Sequence, residues 1–289
     1  LLIPQMLRRG YAPGDAASVT ATASIVALVL PPSITMIIYG VAAEVSISAL
    51  FFHGLYIGLG FGLVYLVTGW LVARKKGYPA ERGVGARELV RTAARALPAL
   101  LIPVVVLGGI RLGVFTATEG GAVAVLIAVI LGVVVYRELS WQRVVKAMRE
   151  TTMLVAAIML IIAMAQAYSW ALVTGGTPQI VADAVLGLTD NVLLILFVAN
   201  VILLLIGTVV EGNAAIIIFT PILLPIVTAA GVDPVHFGLV VVINLAIGLI
   251  TPPVGINLLI TSRIAGISAE RALRDMLPWL GVSVALLFL

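Results

Sequence analysis

The sequence predicts an all-α integral membrane protein that crosses the bilayer several times, and its composition is the first reason. Of the 289 residues, 62% are hydrophobic and 10% are charged, whereas soluble domains contain about 45–50% apolar and about 25% charged residues. The 17 basic and 13 acidic residues are too few to cover the surface of a soluble protein of this length. A helical membrane protein needs no such polar shell.

The second reason is the length of the apolar segments, because about 20 helical residues span the hydrocarbon core of a bilayer. Four segments come close to that length, at residues 50–72, 152–173, 191–208 and 237–261. The segments do not alternate apolar and polar residues with a period of two, which argues against the strands of a transmembrane barrel. A multi-spanning helical bundle is therefore the predicted fold.

The basic residues are concentrated in two polar stretches, 74–95 and 137–149, and none occurs between Arg149 and Arg263. Loops rich in Lys and Arg stay on the cytoplasmic side of a membrane. We therefore interpret the basic charge as a determinant of topology and not as a nucleic-acid-binding surface. The chain has no cysteine, which excludes disulfides and thiolate metal sites. The phosphate-binding loop and the common hydrolase and zinc-protease motifs are missing from the sequence, so nothing indicates an enzyme.

An internal repeat relates two parts of the chain that are 221 residues apart. Matching prolines and glycines share this one register: Pro4 and Pro225, Gly10 and Gly231, Pro13 and Pro234, Pro31 and Pro252, Pro32 and Pro253. Cations precede the first copy at Arg8 and Arg9, and they follow the second copy from Arg263 onward. By the positive-inside rule the copies run in opposite directions. Inverted-topology repeats of this kind are typical of secondary transporters.

The two double prolines predict a break in each copy. Proline has no N–H to donate to the carbonyl four residues earlier, so Ala27, Leu28, Gly248 and Leu249 lose their helical donors. Such breaks persist in a membrane only beside protein or a watery cavity. Free carbonyls at the end of one half-helix suit sodium, and the start of the next half-helix suits an anion. The alternative interpretation is a simple kink.

Polar residues near the breaks extend this hypothesis. Hydroxyl and amide groups lie within about two turns of a double proline, at Ser33, Thr35, Asn244, Thr251, Asn257 and Thr261. They are candidate oxygen ligands for a hard cation, or simply hydrogen-bonding groups between helices. Residues 191–229 predict a re-entrant hairpin with Glu211, Gly212 and Asn213 at its tip. Glu211 is either a functional acid at membrane depth or an ordinary acid at a helix start.

Several stretches resemble one family, the large membrane subunit of tripartite ATP-independent periplasmic (TRAP) transporters. They are RRGYAPGDAASVT at residues 8–20, GVFTATEGG at 113–121, GVDPVHFG at 231–238 and GLITPPVGINL at 248–258. The resemblance implies a multi-pass protein of the bacterial inner membrane whose transport domain moves against a scaffold as an elevator. It also implies organic-acid uptake coupled to sodium ions, without any other cofactor. The implied partners are a small membrane subunit and a periplasmic substrate-binding protein.

The same resemblance places a sodium site where each hairpin tip meets its broken helix. The first site corresponds to Ala27, Leu28, Leu30, Pro31 and Ser33, and the second to Gly212, Asn213, Gly248, Leu249 and Thr251. The family usually has glycine where this chain has Ala27. The first hairpin is expected to end near Gly10 and to lie largely before the first residue. Candidates for the substrate cavity are Ser33, Thr35, Glu211, Asn213 and Asn257.

These assignments predict four regions along the chain. Residues 1–45 contain the end of the first hairpin and the first broken helix, 46–190 the scaffold and connecting helices, 191–265 the second hairpin and broken helix, and 266–289 a C-terminal helix cut short. Two other functions remain open, a stand-alone sodium-coupled anion carrier and a passive channel or scaffold. The substrate is open among dicarboxylates, keto acids, sugar acids and sialic acid.

Overall fold

The structure is a computed structural model that describes residues 2–78, 85–176, 180, 187, 189 and 191–288. All regular elements in these ranges are helices, which confirms the predicted all-α class. The helices are α1 (Leu2–Arg8), α2 (Pro13–Val29), α3 (Ile34–Ala42), α4 (Ile47–Lys76), α5 (Ala86–Arg111), α6 (Ala117–Ile130), α7 (Trp141–Thr174), α8 (Val192–Gly207), α9 (Gly212–Ala229), α10 (Pro234–Gly248), α11 (Ile256–Ala265) and α12 (Ala269–Leu287). A π-helical turn, Leu131–Val135, continues α6.

Five helices in the described ranges are long and apolar enough to cross a bilayer, and a bent pair of helices adds a sixth candidate. The five are α4, α5, α6 with its π-helical turn, α7 and α9. The bent pair is α2 and α3, which meet at 44° across the break at the first double proline. The integral membrane class is thus confirmed. The apolar segment 237–261 is divided between α10 and α11, as its double proline predicts.

The chain forms two compact units, one of residues 1–79 and 165–289 and the other of residues 80–164. The first unit contains both broken helices, the α8–α9 hairpin, α4 and α12. The second unit contains α5, α6 and most of α7. The division of the chain into a scaffold and a transport domain stays a prediction.

The two copies of the repeat have the same local backbone. Gly10 and Gly231 end their helices with φ of 82° and 89°, a left-handed conformation that glycine adopts without a steric penalty. In each copy the next residue closes the same turn, since the N–H of Tyr11 donates to Met6 (3.1 Å) and the N–H of Val232 donates to Val227 (3.0 Å). Both double prolines contain a cis peptide bond. The repeat predicted from prolines and glycines is therefore a structural repeat.

The two broken helices run antiparallel. The hydroxyl of Tyr39, near the end of the first, donates to the carbonyl of Pro234 at the start of the second (2.7 Å). Further back along the first copy, the hydroxyl of Ser24 accepts from the amide of Asn257, which lies beyond the second break (2.6 Å). Later residues of one helix thus contact earlier residues of the other. This arrangement confirms that the copies are inverted.

Helices α4 and α12 pack beside α2 and enclose its buried face. The hydroxyls of Tyr65 on α4 and Ser283 on α12 are hydrogen-bonded to each other (2.7 Å). Thr22 of α2 donates to the sulfur of Met276 on α12 (3.3 Å). Gly58 lies where a Cβ atom would be 3.1 Å from the Cα of Leu30, so α4 approaches the first break closely. These contacts position the break inside the unit.

An ionic cluster joins α2, α4 and α12 at the N-terminal end of α2. Asp15 is 2% exposed and accepts two hydrogen bonds from the ammonium of Lys76 (2.7 and 2.9 Å) and one from the hydroxyl of Tyr78. Lys76 also donates to Asp275 (3.0 Å), and the ring of Tyr78 stacks on Tyr11. Burial raises the pKa of the Tyr78 hydroxyl, and its hydrogen bond to Asp15 acts in the same direction.

The second unit is a helical hairpin followed by the start of α7. Thr116 and Glu119 form a capping box at the start of α6, which satisfies free N–H groups at this helix end. The ring of Phe115 occupies the space that a side chain at Gly109 would need. At the other end of the hairpin, the hydroxyl of Tyr136 donates to the carbonyl of Arg95 (3.0 Å).

Candidate functional site

The tip of the α8–α9 hairpin contacts the break between α10 and α11. The N–H of Val254, inside the break, donates to the carbonyl of Thr208 at the tip (3.3 Å). The backbones of Gly207 and Gly248 touch, because a Cβ atom built on Gly248 would lie 2.6 Å from the Cα of Gly207. Only a residue without a side chain fits there. The sequence therefore brings the hairpin tip and the break together, as the second predicted site requires.

The carbonyls at the second break are less bare than the sequence predicts. Pro252 and Pro253 cannot donate to Gly248 and Leu249, but other N–H groups do. The Gly248 carbonyl accepts from Thr251 (3.0 Å), and the Leu249 carbonyl accepts from Asn257 (3.0 Å). The expectation that both carbonyls are free is thus wrong, because the chain curls back within the break. Each carbonyl keeps a second lone pair, which is directed away from its N–H partner.

Thr251 presents its hydroxyl oxygen at the same break. Its hydroxyl donates to the carbonyl of Ile247 (2.7 Å), which is the common bond of a hydroxyl to the preceding turn. This bond uses the hydrogen and leaves the lone pairs of the oxygen as acceptors. Thr251 is half-buried. It therefore remains suitable as an oxygen ligand at the second site.

Asn213 supplies the clearest sign of an absent partner. Its side-chain oxygen is buried and accepts no hydrogen bond from a described residue. A buried polar atom without a partner costs about 1–3 kcal/mol, so such atoms in folded proteins usually have a partner such as a water or an ion. Asn213 follows Gly212 in the first turn of α9, directly after the hairpin tip. The residues present thus fit a small oxygen-seeking cation.

A pair of buried amides lies one to two turns further into the unit; Asn244 was predicted as a polar candidate, whereas Asn200 was missed. The amide nitrogen of Asn244 donates to the side-chain oxygen of Asn200 (2.6 Å), joining α10 to α8. Asn244 is fully buried, and its own oxygen accepts no hydrogen bond from a described residue. Asn200 is the single amide in the otherwise apolar helix α8. That isolation is the signal in the sequence that marks it.

At the first break, a serine replaces the donor that proline lacks. The carbonyl of Leu28 accepts from the hydroxyl of Ser33 (2.5 Å), and the same hydroxyl oxygen caps α3 by accepting from the N–H of Met36 (3.3 Å). The prediction of a bare carbonyl at Leu28 is therefore wrong. The N–H of Leu30 donates to Val26 (2.7 Å), and Pro31 has no N–H for the carbonyl of Ala27. Ala27 therefore fits the predicted site best.

The five substrate-cavity candidates do not form one hydrogen-bonded group within the described residues. Ser33 and Thr35 are buried at the start of α3. Asn257 donates to the hydroxyl of Ser24 on α2 (2.6 Å). Asn213 belongs to α9, which packs against α3. The structure thus gathers these residues around the contacts of the two repeats, and Ser24 joins them as a residue that the sequence reasoning missed.

Glu211 caps a helix. It is exposed, and its carboxylate accepts from the N–H of Ala214 in the first turn of α9 (3.0 Å). A carboxylate at this position is favoured by the free N–H groups and the helix dipole. Of the two interpretations of Glu211, the structure favours the helix-capping acid.

Comparison with known proteins gives the family. The family described as tripartite ATP-independent periplasmic transporter, DctM component, matches residues 1–289. The chain belongs to this family. The predicted identity as a TRAP large permease subunit is therefore confirmed.

Three relatives of this permease show the range of the family. The chain is 39% identical over 290 residues to the isethionate TRAP transporter permease protein DctMQ of Oleidesulfovibrio alaskensis. The match covers 100% of this chain and 46% of that protein. It is 38% identical over 289 residues to the C4-dicarboxylate TRAP transporter large permease protein DctM of Pseudomonas aeruginosa, covering 100% and 68%. It is 36% identical over 280 residues to the sialic acid TRAP transporter large permease protein SiaM of Vibrio cholerae, covering 97% and 66%. The chain thus spans about half to two thirds of the length of these relatives, all of which are named as permeases.

Proposed function

We propose that this chain forms the ion- and substrate-binding part of a secondary transporter subunit that imports an organic acid across a bacterial inner membrane. A sodium gradient drives the uptake, a periplasmic binding protein delivers the substrate, and a small membrane subunit completes the permease. The names of the relatives support the substrate class, since C4-dicarboxylates, sialic acid and isethionate are organic anions. Isethionate carries a sulfonate, so a small organic anion is the chemistry that the three share.

The contact between the hairpin tip and the second break carries the sodium part of the proposal. There the buried oxygen of Asn213 lacks a partner, and the hydroxyl of Thr251 has lone pairs to offer. The carbonyls of Gly248 and Leu249 add oxygens, and Gly212 begins the helix that carries Asn213. Hard cations bind sets of carbonyl, amide and hydroxyl oxygens of this kind. Because none of these five residues has a carboxylate, a monovalent cation suits them better than a divalent one.

The first break supports a second sodium site and a place for the anion. Ala27, Leu28, Leu30 and Pro31 provide carbonyl oxygens there, and the hydroxyl of Ser33 lies beside them. Helix α3 begins at this point with its free N–H groups, which favour an anion. We propose that a carboxylate or sulfonate binds near the start of α3, within reach of Thr35, Asn213 and Asn257.

The coupling is tested with the permease and its partner subunits in proteoliposomes. We expect an inward sodium gradient to drive accumulation of the organic acid above its equilibrium distribution. Uptake should stop when potassium replaces sodium and when the binding protein is omitted. Uptake that ignores the sodium gradient would refute the coupling, and uptake without the binding protein would favour a stand-alone carrier.

The second site is tested by two substitutions with a matched control. We expect Asn213→Ala and Thr251→Val to raise the sodium concentration for half-maximal uptake by at least severalfold. Thr228→Val is the control, because the Thr228 hydroxyl makes the same kind of bond, to the carbonyl of Leu224 (2.8 Å), at the far end of α9. Unchanged sodium activation in both site variants would place the ion elsewhere.

We also propose that the two broken helices and the α8–α9 hairpin, which share the first compact unit, move as one body in an elevator-type cycle. The antiparallel contacts of Tyr39 with Pro234 and of Asn257 with Ser24 support this proposal, because they join the two copies directly. We expect a variant with cysteines at positions 24 and 257 to transport equally well with the disulfide formed and with it reduced. Loss of transport on oxidation, with recovery on reduction, would show that these helices separate during the cycle.

A further inference from the structure

Three arginines on α5 share one face of the helix near its start. Arg87, Arg91 and Arg95 are spaced four residues apart, so successive side chains turn by only about 40° around the axis. All three are exposed, and none forms an ion pair with a residue in the described ranges. We call this set the arginine stripe.

The opposite face of the same segment is apolar. Leu89, Val90 and Leu97 are 60%, 67% and 56% exposed, and their positions lie roughly 100–160° from the middle of the stripe around the axis. The first three turns of α5 are therefore amphipathic, although the helix continues as a candidate membrane span. An amphipathic, basic segment of this kind is typical of the interface between headgroups and acyl chains.

The length of α5 places the stripe at headgroup level. Nineteen residues lie between Arg91 and Arg111, and these rise about 28 Å along a helix, close to the roughly 30 Å of the hydrocarbon core. Arg87 then lies outside the core and Arg91 at its boundary. Arg95 starts one turn inside, but helical side chains tilt toward the N-terminus. Its long side chain therefore extends back toward the headgroups.

We propose that the arginine stripe binds the phosphate of an anionic phospholipid, such as phosphatidylglycerol. The three guanidinium groups then lie on one face near headgroup level, spread over about 12 Å along the axis, and each presents a planar pair of donors that matches a phosphate. The hydroxyl of Tyr136 holds the backbone at Arg95 through its carbonyl (3.0 Å). Deeper in the span, the same face of α5 continues with the apolar residues Ile102 and Val105, which accounts for the acyl chains. An acidic partner protein fits less well, because α5 continues directly into the bilayer.

The absence of cysteine from the chain gives a direct measurement. Thr92→Cys introduces a label site that lies next to the stripe and changes no charge. The full permease carrying a fluorophore there is reconstituted with phosphatidylglycerol or phosphatidylcholine that is spin-labelled near the carbonyl end of the acyl chain. The ratio of quenching by the two lipids reports the local preference for anionic lipid.

We expect a preference for phosphatidylglycerol of at least severalfold, because each cation near the surface attracts anionic lipid by about fivefold. The variant Arg87→Gln/Arg91→Gln/Arg95→Gln should lower the preference to near one, while quenching by phosphatidylcholine stays the same. Arg87→Lys/Arg91→Lys/Arg95→Lys should retain most of it. The control Arg143→Gln/Lys146→Gln/Arg149→Gln removes the same charge from the start of α7 and should leave the preference unchanged.

Each other outcome would overturn the proposal. An equal loss in the control variant would indicate a general surface potential and not a site. Displacement of the lipid by inorganic phosphate at constant ionic strength would indicate a site for soluble phosphate. Quenching that is absent with both lipids would show that a protein subunit covers the stripe. A preference that survives the glutamine substitutions would show that the stripe plays no part.

Discussion

The ionic cluster at the end of α2 gives a sharp test of how burial determines the effect of a charge. Asp15 has a side chain that is 3% exposed, whereas the side chains of Lys76 and Asp275 are 38% and 28% exposed. Removing one member of a buried ion pair costs about 3–5 kcal/mol, because the other charge remains without a partner. An exposed pair contributes only about 0–1 kcal/mol. Leaving the Asp15 carboxylate without its cation should therefore destabilise the fold much more than removing the Asp275 carboxylate.

The decisive change is Lys76→Met, which leaves the buried carboxylate of Asp15 without its cation. Because solvent reaches part of Lys76, we expect the lower end of the range, about 3 kcal/mol. At about 2–4 °C per kcal/mol for a domain of comparable size, the unfolding temperature should fall by about 6–12 °C. The matched change Asp275→Asn should lower it by at most about 4 °C.

The assay is thermal unfolding of the detergent-solubilised permease, followed by tryptophan fluorescence at one fixed heating rate. The double variant Asp15→Asn/Lys76→Met should be more stable than Lys76→Met alone, because it removes the stranded charge. If Lys76→Met destabilises the protein no more than Asp275→Asn does, the argument from burial is refuted. A double variant less stable than Lys76→Met would refute it as well.

Three further predictions concern single side chains. Gly248→Ala should abolish uptake, because the added Cβ atom would lie 2.6 Å from the Cα of Gly207 at the hairpin tip. The control Gly60→Ala should transport normally, because its Cβ atom would have no neighbour within 4 Å. Normal uptake by both variants would contradict this. Glu211→Gln should keep its sodium activation and lose about 1 kcal/mol or less of stability, because Glu211 caps a helix. Loss of sodium activation would instead indicate that Glu211 is a functional acid. The pKa of Tyr78 is raised in the folded protein, so the hydroxyl of the unfolded chain ionises at a lower pH. Stability should therefore fall as pH rises above 10. Tyr78→Phe should flatten that alkaline decline in a series of unfolding temperatures, and an unchanged decline would exclude Tyr78.

The backbone of the two repeats could be predicted because proline and glycine act locally. A double proline interrupts a helix wherever it occurs, and a glycine such as Gly231 ends a helix through its own φ angle. The sequence register therefore predicted the repeat and its breaks, and the positions of the cations predicted the inversion. The contact between the hairpin tip and the break was predicted only from the family resemblance, because no local rule brings Gly207 to Gly248.

The hydrogen bonds within the breaks could not be predicted, because their donors come from outside the helical register. Ser33 donates across five residues to Leu28, and Asn257 donates its N–H across eight residues to Leu249. Buried carbonyls in a membrane protein require donors, so a group beyond the proline replaces the missing N–H. The sequence shows that a carbonyl loses its helical donor but does not show which group replaces it.

Asn200, the partner of Asn244, was missed for a related reason. It is the single polar group in the apolar helix α8, and one polar group alone predicts no contact. Their meeting depends on the parallel packing of α8 on α10, which is a tertiary property. Glu211 is a different case, because the sequence allowed two roles for it, a functional acid or a helix cap. Only its exposure and its hydrogen bond to Ala214 in the structure separate them.

The glycine contact at the hairpin tip has a consequence for how an ion leaves the site. Gly207 and Gly248 meet main chain against main chain, with no side chain between them. A contact of this kind has no rotamer to change and no flexible group that fills a partial gap. It is therefore either closed or open. If sodium binds at the proposed site beside it, its release requires displacement of the whole hairpin tip, and the rate of release depends on the movement of a backbone segment.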